Sequence, residues 1–120
     1  MKDSGRTGFH LIIGTAATGI VFEFSYNLSE WKADYKKIGT GKFDASVRTG
    51  LPIGILLDQC PELLKPDDPN YRGSWVKDQF ITSISGLEQE DDESHSKSIT
   101  EDICFLLEEE INSLCEAYRT

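Results

Sequence analysis

Apolar and polar residues alternate along a segment near the N-terminus. From Ile20 to Leu28 every even-numbered residue is apolar or aromatic, and Glu23, Ser25 and Asn27 lie between them. A period of two predicts a half-buried β-strand with its even-numbered face turned inward. The apolar run 9–13 precedes this strand, and small residues from Gly14 to Gly19 join the two. We therefore expect an antiparallel β-hairpin to open the fold.

The hydrophobic period changes after this hairpin. Leu28, Trp31, Tyr35 and Ile38 are spaced by three and four residues, with charged residues on the other side. This spacing predicts a short amphipathic helix that ends at Gly39, where glycine suits the left-handed conformation of a helix stop. A continued strand is the alternative.

The next segment, residues 39–58, is rich in glycine and contains short alternating apolar runs. It predicts two further short strands around Thr49 and Gly50. Pro52 places the second strand at an edge or at its first residues, since proline cannot donate to a ladder. Residues 60–65 are expected to form one helical turn, and residues 66–70 a loop.

Residues 74–87 fit two structures. Val76, Phe80, Ile84 and Leu87 form a helical stripe, whereas the β-branched residues of 81–84 favour a strand. Helix is slightly favoured, and strand stays open. Residues 88–97 contain no apolar side chain, which predicts an acidic, mobile loop.

A final amphipathic helix is predicted from Ser98 onward. Ser98 and Glu101 have the spacing of a capping box. Apolar residues then recur at intervals of three and four, which are Ile99, Ile103, Leu107, Ile111, Leu114 and Tyr118. Such a stripe must pack on the sheet or on a partner. The chain is thus expected to be a single α+β domain over residues 1–120, a small antiparallel sheet with this helix packed on it.

Composition adds a strong asymmetry of charge. The chain of 120 residues has a net charge of −9; residues 1–77 carry a net charge of +1, and residues 78–120 carry −10. An acidic surface disfavours nucleic acid and attracts a basic partner. The alternative is that the acidity only keeps the protein soluble. Three cysteines without a C-x-x-C pair, and no long apolar run, favour a cytoplasmic protein without a membrane span.

Motifs for chemistry are weak. The segment Gly14–Gly19 has the glycine spacing of a phosphate loop, but Ile20 and Val21 stand where lysine and a hydroxyl residue are needed. His10, His95 and the cysteines show no metal-ligand spacing. The sequence therefore predicts neither a cofactor nor a metal, and a protein that is not an enzyme.

These features favour a protein-binding module, an inhibitor or immunity (anti-defence) protein that acts by occlusion and acidic charge complementarity. The alternatives are a chaperone-like or structural homo-oligomer, with a homodimer through the last helix, and an enzyme of unidentified type. Tryptophan is frequent at binding hot spots, and carboxylates suit a basic partner. The candidate partner-binding residues are Trp75, Asp67, Asp68, Glu90, Asp91, Asp92 and Glu93.

Overall fold

The computed structural model describes residues 8–26 and 32–118. Its core is a four-stranded antiparallel sheet with the strand order β2-β1-β4-β3. The strands are β1 (Phe9–Thr15), β2 (Gly19–Tyr26), β3 (Ser74–Lys77) and β4 (Phe80–Ser85). The helices are α1 (Lys32–Thr49), α2 (Ile53–Gln59) and α3 (Gln89–Tyr118), with a 3-10 turn at Pro61–Leu63. The predicted fold class is confirmed.

The N-terminal hairpin is also confirmed. β1 pairs with β2 from Phe9 opposite Tyr26 to Thr15 opposite Gly19, with an irregularity after Ile13. The connecting turn is closed by a hydrogen bond of 2.6 Å between the hydroxyls of Thr15 and Thr18. Gly19 follows at φ +76°, a conformation that favours glycine.

Helices α1 and α3 pack on opposite faces of the sheet. Successive residues of a strand point to opposite sides, so the contacts of neighbouring residues identify the two faces. On one face, Ile12 and Ile81 form a buried cluster with Phe43 of α1. On the other face, Thr82 meets Thr100 of α3 through a hydroxyl hydrogen bond of 2.8 Å. A second cluster, Ala45 with Ile53 and Leu56, lies between α1 and α2.

The prediction that the first helix ends at Gly39 is wrong, since α1 continues to Thr49. Glycine is needed here for close packing. Ser83 Oγ donates a 2.7 Å hydrogen bond to the Gly39 carbonyl, and a Cβ at Gly41 would lie 2.6 Å from Pro69 Cγ. The helix ends at Thr49, and Gly50 follows it with a φ of +76°.

The two strands predicted within residues 39–58 are likewise wrong. Phe43 packs on the sheet and Ala45 packs on α2, so α1 is buried on two sides and shows no single helical stripe. Pro52 precedes the first residue of α2, where its missing N–H costs nothing. The helical turn expected within 60–65 is present as the 3-10 turn.

Residues 74–87 form the β3–β4 hairpin, so the slight preference for helix is wrong. β4 is a central strand between β1 and β3, and it is buried on both faces. Such a strand lacks simple alternation. The turn is made at Asp78, which has a positive φ of 57°.

The acidic loop predicted over residues 88–97 is wrong, because α3 begins at Gln89. The side of this helix that faces the sheet carries Asp92, Ser96 and Thr100, all of them buried. These are small or polar residues, and hydropathy therefore gives no signal of their burial. Ser98 lies within the helix rather than at its start.

The even-numbered face of β2 is not buried, which corrects the prediction for that strand. Phe22 and Phe24 are 50% and 45% exposed. They lie on the same side of the sheet as α3, but α3 packs over β3 and β4 and leaves the β1–β2 half open.

Candidate functional site

The predicted partner-binding residues Asp67 and Asp68 differ in their exposure and in their contacts within the chain. Asp67 is exposed. Asp68 is engaged within the chain, since it accepts hydrogen bonds from Arg48 and, at 2.7 Å, from the Lys65 N–H. Burial acts to raise the pKa of Asp68, but these bonds and the two positive charges outweigh it and hold the pKa below its ordinary value. Asp68 therefore fixes the loop.

Trp75 lies on β3, beneath α3. Its indole ring is partly buried, and Lys97 Nζ lies 5.3 Å from the ring centroid, within cation–π distance. This contact links α3 to the edge strand. A partner that bound Trp75 would have to displace the Lys97 side chain.

The acidic run at the start of α3 divides between two sides of the helix. Glu90 is exposed and Asp91 is partly exposed, whereas Asp92 is buried. Glu93 Oε2 accepts a 3.3 Å hydrogen bond from Arg72, which also donates 2.8 Å to Asp58. Glu93 Oε1 lies 3.3 Å from Arg72 Nη2, within ion-pair distance but without hydrogen-bond geometry.

Asp92 forms a buried ion pair that the sequence pattern did not indicate. Lys42 of α1 places Nζ 3.3 Å from Asp92 Oδ2 and donates a 2.9 Å hydrogen bond to the Ile84 carbonyl. Burial lowers the pKa of the Lys42 ammonium, and the Asp92 charge opposes that shift. The pair joins α1, β4 and α3. Nothing in the sequence could have found it, since lysine and aspartate are normally exposed.

A cavity of about 260 Å³ lies beside this pair. Its wall includes Tyr35, Ile38, Tyr71, Leu87 and Gln89. This volume is slightly below the usual range of ligand pockets, about 300–1,000 Å³. Lys42 and Asp92 already bind each other there, so the arrangement serves first to hold the helices together.

The outward side of α3 is acidic along its whole length. Six exposed carboxylates lie within about one third of the helix circumference, opposite Ser96 and Thr100, where they alternate with Ser94, Ser98, Phe105 and Asn112. We call them the acidic outer face, which consists of Glu90, Glu101, Asp102, Glu108, Glu109 and Glu116. Lys97 is the one Lys or Arg in the sequence between Gln89 and Tyr118.

The C-terminal part of α3, residues 105–118, is here called the tail. It follows Cys104, whose Sγ lies 3.6 Å from the Lys77 carbonyl at the end of β3. Every residue of the tail is exposed. The helix side that faces the sheet upstream continues here with Glu110, five turns after Asp92, and with four apolar residues beside it. We call these four the tail stripe: Leu107, Ile111, Leu114 and Tyr118.

The histidines and cysteines lie apart. His10 binds Ser25 and Glu23 at 2.5 and 2.6 Å, while His95 is exposed. Cys60, Cys104 and Cys115 are all free thiols. Within residues 8–26 and 32–118, no three His, Cys, Asp or Glu side chains converge as a metal site would require.

The fold and its surfaces define a small α+β protein with a long acidic helix. Comparisons with protein families, with curated proteins and with solved structures found no match for this chain. In the part of the chain that the structure describes, no helix combines the length and the apolar character needed to span a membrane.

Proposed function

We propose that this protein is a protein-binding module that recognises a partner with a basic surface and has no chemistry of its own. The observation that carries the proposal is the acidic outer face of α3. It runs along a helix of 30 residues, about 45 Å, and points away from the sheet. A surface of this length can meet a basic groove or a basic active site and cover it.

The proposed mode of action is occlusion, as an inhibitor or an immunity (anti-defence) protein would act. The outer carboxylates steer a basic partner toward α3, and binding then blocks the partner's surface. Of the predicted contact residues, Asp67 and Glu90 are exposed and Asp91 is partly exposed in this fold. Asp68, Asp92 and Glu93 support the proposal indirectly, because they hold the loop and α3 in place.

The test begins with capture of the partner from the source cells, followed by its association rate with two matched variants. The first variant, Glu101→Gln with Glu108→Gln and Glu109→Gln, neutralises the acidic outer face. The second, Asp34→Asn with Asp44→Asn and Glu62→Gln, neutralises three exposed carboxylates elsewhere.

Both variants remove three negative charges, so a general effect of net charge cancels between them. We expect the first to slow association by tenfold or more at low salt and to flatten its salt dependence, while the second stays close to the native chain. Equal rates for the two variants, or an acidic partner, would reject the proposal.

A homo-oligomeric structural or chaperone-like protein is the second candidate. The observation in its favour is the exposed tail stripe, which lies on the side of α3 opposite the acidic outer face.

A cytoplasmic location is proposed on the free state of all three cysteines, which suits a reducing compartment.

A further inference from the structure

One half of the sheet presents an apolar face on which no helix packs within residues 8–26 and 32–118. Phe9 pairs with Tyr26, Leu11 with Phe24 and Ile13 with Phe22, so the six side chains share one side. Leu11 and Ile13 also pair with Ile84 and Thr82, which places this side on the α3 face of the sheet. We call it the open sheet face: Phe9, Leu11, Ile13, Phe22, Phe24 and Tyr26.

The same chain carries a helix segment that lacks a sheet. The tail stripe continues the line of Ser96, Thr100 and Cys104, which pack on β3 and β4. Ile111 is 57% exposed and Tyr118 is 86% exposed. The open sheet face is an apolar sheet surface of the kind on which a helix packs, and the tail stripe is an apolar helix surface of the kind that packs on a sheet.

The direction of α3 fixes how these two surfaces can meet. Ser96 contacts Gly73, Thr100 contacts Thr82 and Cys104 contacts Lys77, so α3 crosses the sheet toward the β3–β4 turn. Thr15 pairs with Phe80, which places the β1–β2 turn at the same end of the sheet. The tail therefore extends past the end at which both hairpin turns lie.

A two-fold axis perpendicular to the sheet, placed beyond this end, brings a second copy into register. The rotation exchanges the left and right halves of the sheet and keeps the same face upward. The tail of one copy, which leaves from the β3–β4 half, then lies over the β1–β2 half of the other copy, and the reverse contact forms at the same time.

The dimensions agree with this arrangement. A tail of 14 residues is about 21 Å long, and β2 with eight residues is about 26 Å long. Two strands are about 10 Å wide, the diameter of one helix.

We propose that two copies of this chain form a two-fold dimer in which the tail stripe of each α3 packs on the open sheet face of the other copy. This inference is independent of the proposed binding of a basic partner, because it uses the side of α3 opposite the acidic outer face. It deepens the second candidate, the homo-oligomer, by naming the surface that the tail stripe contacts.

The exposed area is sufficient for such a dimer. Phe22, Phe24, Tyr26 and Tyr118 are each about half exposed or more. At about 150–250 Å² for a whole aromatic side chain, they offer roughly 350–590 Å² per copy. The area from two copies, together with that of the aliphatic residues of both surfaces, then reaches the range of a stable interface, about 1,200–2,000 Å².

Charge distinguishes this dimer from the complex with a basic partner. Each copy carries a net charge of −9, so the two copies repel one another. Salt screens that repulsion and should strengthen the dimer, whereas it should weaken binding of a basic partner.

The experiment is analytical ultracentrifugation of the full chain at two salt concentrations. At about 50 mM salt the repulsion between copies is weakly screened, and at about 500 mM it is strongly screened. We expect a species of twice 13.5 kDa, with a dissociation constant that falls as salt rises. The proposal would be overturned if the chain stayed monomeric at every salt concentration and at protein concentrations up to about 100 μM. That protein concentration is well above the dissociation constant of a specific interface.

Three variants locate the contact. The tail variant is Ile111→Gln with Leu114→Gln, and the sheet variant is Phe22→Thr with Phe24→Thr; the new residues suit a helix and a strand respectively. Phe105→Gln is the control, since Phe105 is exposed on the opposite side of the same tail. Circular dichroism verifies that each variant is folded.

We expect the tail and sheet variants to weaken the dimer by tenfold or more and the control to leave it unchanged. A mixture of the tail variant with the sheet variant should dimerise better than either alone, because the mixed dimer retains one native tail–sheet contact. A sheet variant that dimerises normally would show contact between tails instead, and a tail variant that dimerises normally would show contact between sheets. Either result would overturn the exchange.

Should a variant fail to fold, Phe24→Cys in one copy and Leu114→Cys in the other test the same contact. In both copies the native cysteines are replaced by Cys60→Ser, Cys104→Ser and Cys115→Ser. Formation of a covalent dimer by this mixture under mild oxidation supports the exchange. Absence of that product at concentrations at which the native chain is dimeric contradicts it.

Discussion

The two halves of α3 have opposite relations between polarity and burial. Residues 89–104 bury Asp92, Ser96 and Thr100 against the sheet, and each of these polar side chains has a partner. The tail, in contrast, carries apolar residues that face solvent. The comparison teaches that a hydrophobic stripe does not locate the part of a helix that packs within its own chain.

The largest expected effect concerns the buried ion pair of the N-terminal half. Asp92→Ala leaves the Lys42 ammonium buried without its carboxylate, and we expect a loss of about 3–5 kcal/mol in the free energy of unfolding. Urea denaturation of the native and variant chains measures it. The double variant Lys42→Met with Asp92→Ala removes the unpaired charge and should recover part of the loss. A cost below about 1 kcal/mol for the single variant would mean that the pair does not hold the helix.

Thr100→Val tests whether hydroxyl groups hold the same half. The Thr100 hydroxyl lies 2.6 Å from the Ser96 carbonyl and 2.8 Å from the Thr82 hydroxyl. Valine has nearly the same shape but leaves Thr82 without that bond, so we expect a loss of about 1–3 kcal/mol by urea denaturation. Thr100→Ser keeps the hydroxyl and serves as the matched control. Equal stability of the valine variant and the native chain would assign the packing to shape alone.

The pH dependence of stability tests the burial of the Lys42 ammonium. Burial lowers the pKa of Lys42 in the folded state below its ordinary value of 10.5. The unfolded chain therefore holds this proton more tightly, and stability from this group rises as pH increases from the folded pKa toward 10.5. The difference in unfolding free energy between the native chain and Lys42→Met should grow in favour of the native chain across that window. A constant difference, or one that shrinks, contradicts the assignment.

The smallest effect is expected in the tail. Ile111→Ala removes an apolar side chain that is mostly exposed, so at concentrations at which the chain is monomeric it should cost about 0.5 kcal/mol or less. At concentrations at which dimers form, the cost should increase, because a bound copy stabilises the folded state by mass action. Melting temperatures of both chains over a range of concentrations test this. A large cost that does not depend on concentration would show that Ile111 packs within one chain.

The elements that the sequence predicted well are local ones. The β1–β2 hairpin depends on two adjacent strands and a short turn, and all of its signals lie within residues 9–26. The elements that were missed depend on contacts between distant segments. Gly39 looks like a helix stop, yet it lies inside α1 because Ser83 and Ser85 approach the helix there.

The same limit applies to the candidate site. The apolar residues of the tail stripe were predicted correctly as one side of a helix. Their exposure could not be predicted, because it depends on where β3 and β4 end beneath α3. The ion pair of Lys42 and Asp92 joins residues 50 positions apart, and only the three-dimensional arrangement reveals it.

The central position of β1 next to β4 has a kinetic consequence. Ile12 pairs with Ser83, so the middle of the sheet closes between residues about 70 positions apart. Pairings this distant have a high loop-closure entropy, and they form late and slowly. The residues of the β1–β2 hairpin are synthesised well before those of β4, which begins at Phe80. During that interval Ile12 has no neighbour on the β4 side, and its exposed edge is the point at which a misfolded or aggregated species would begin.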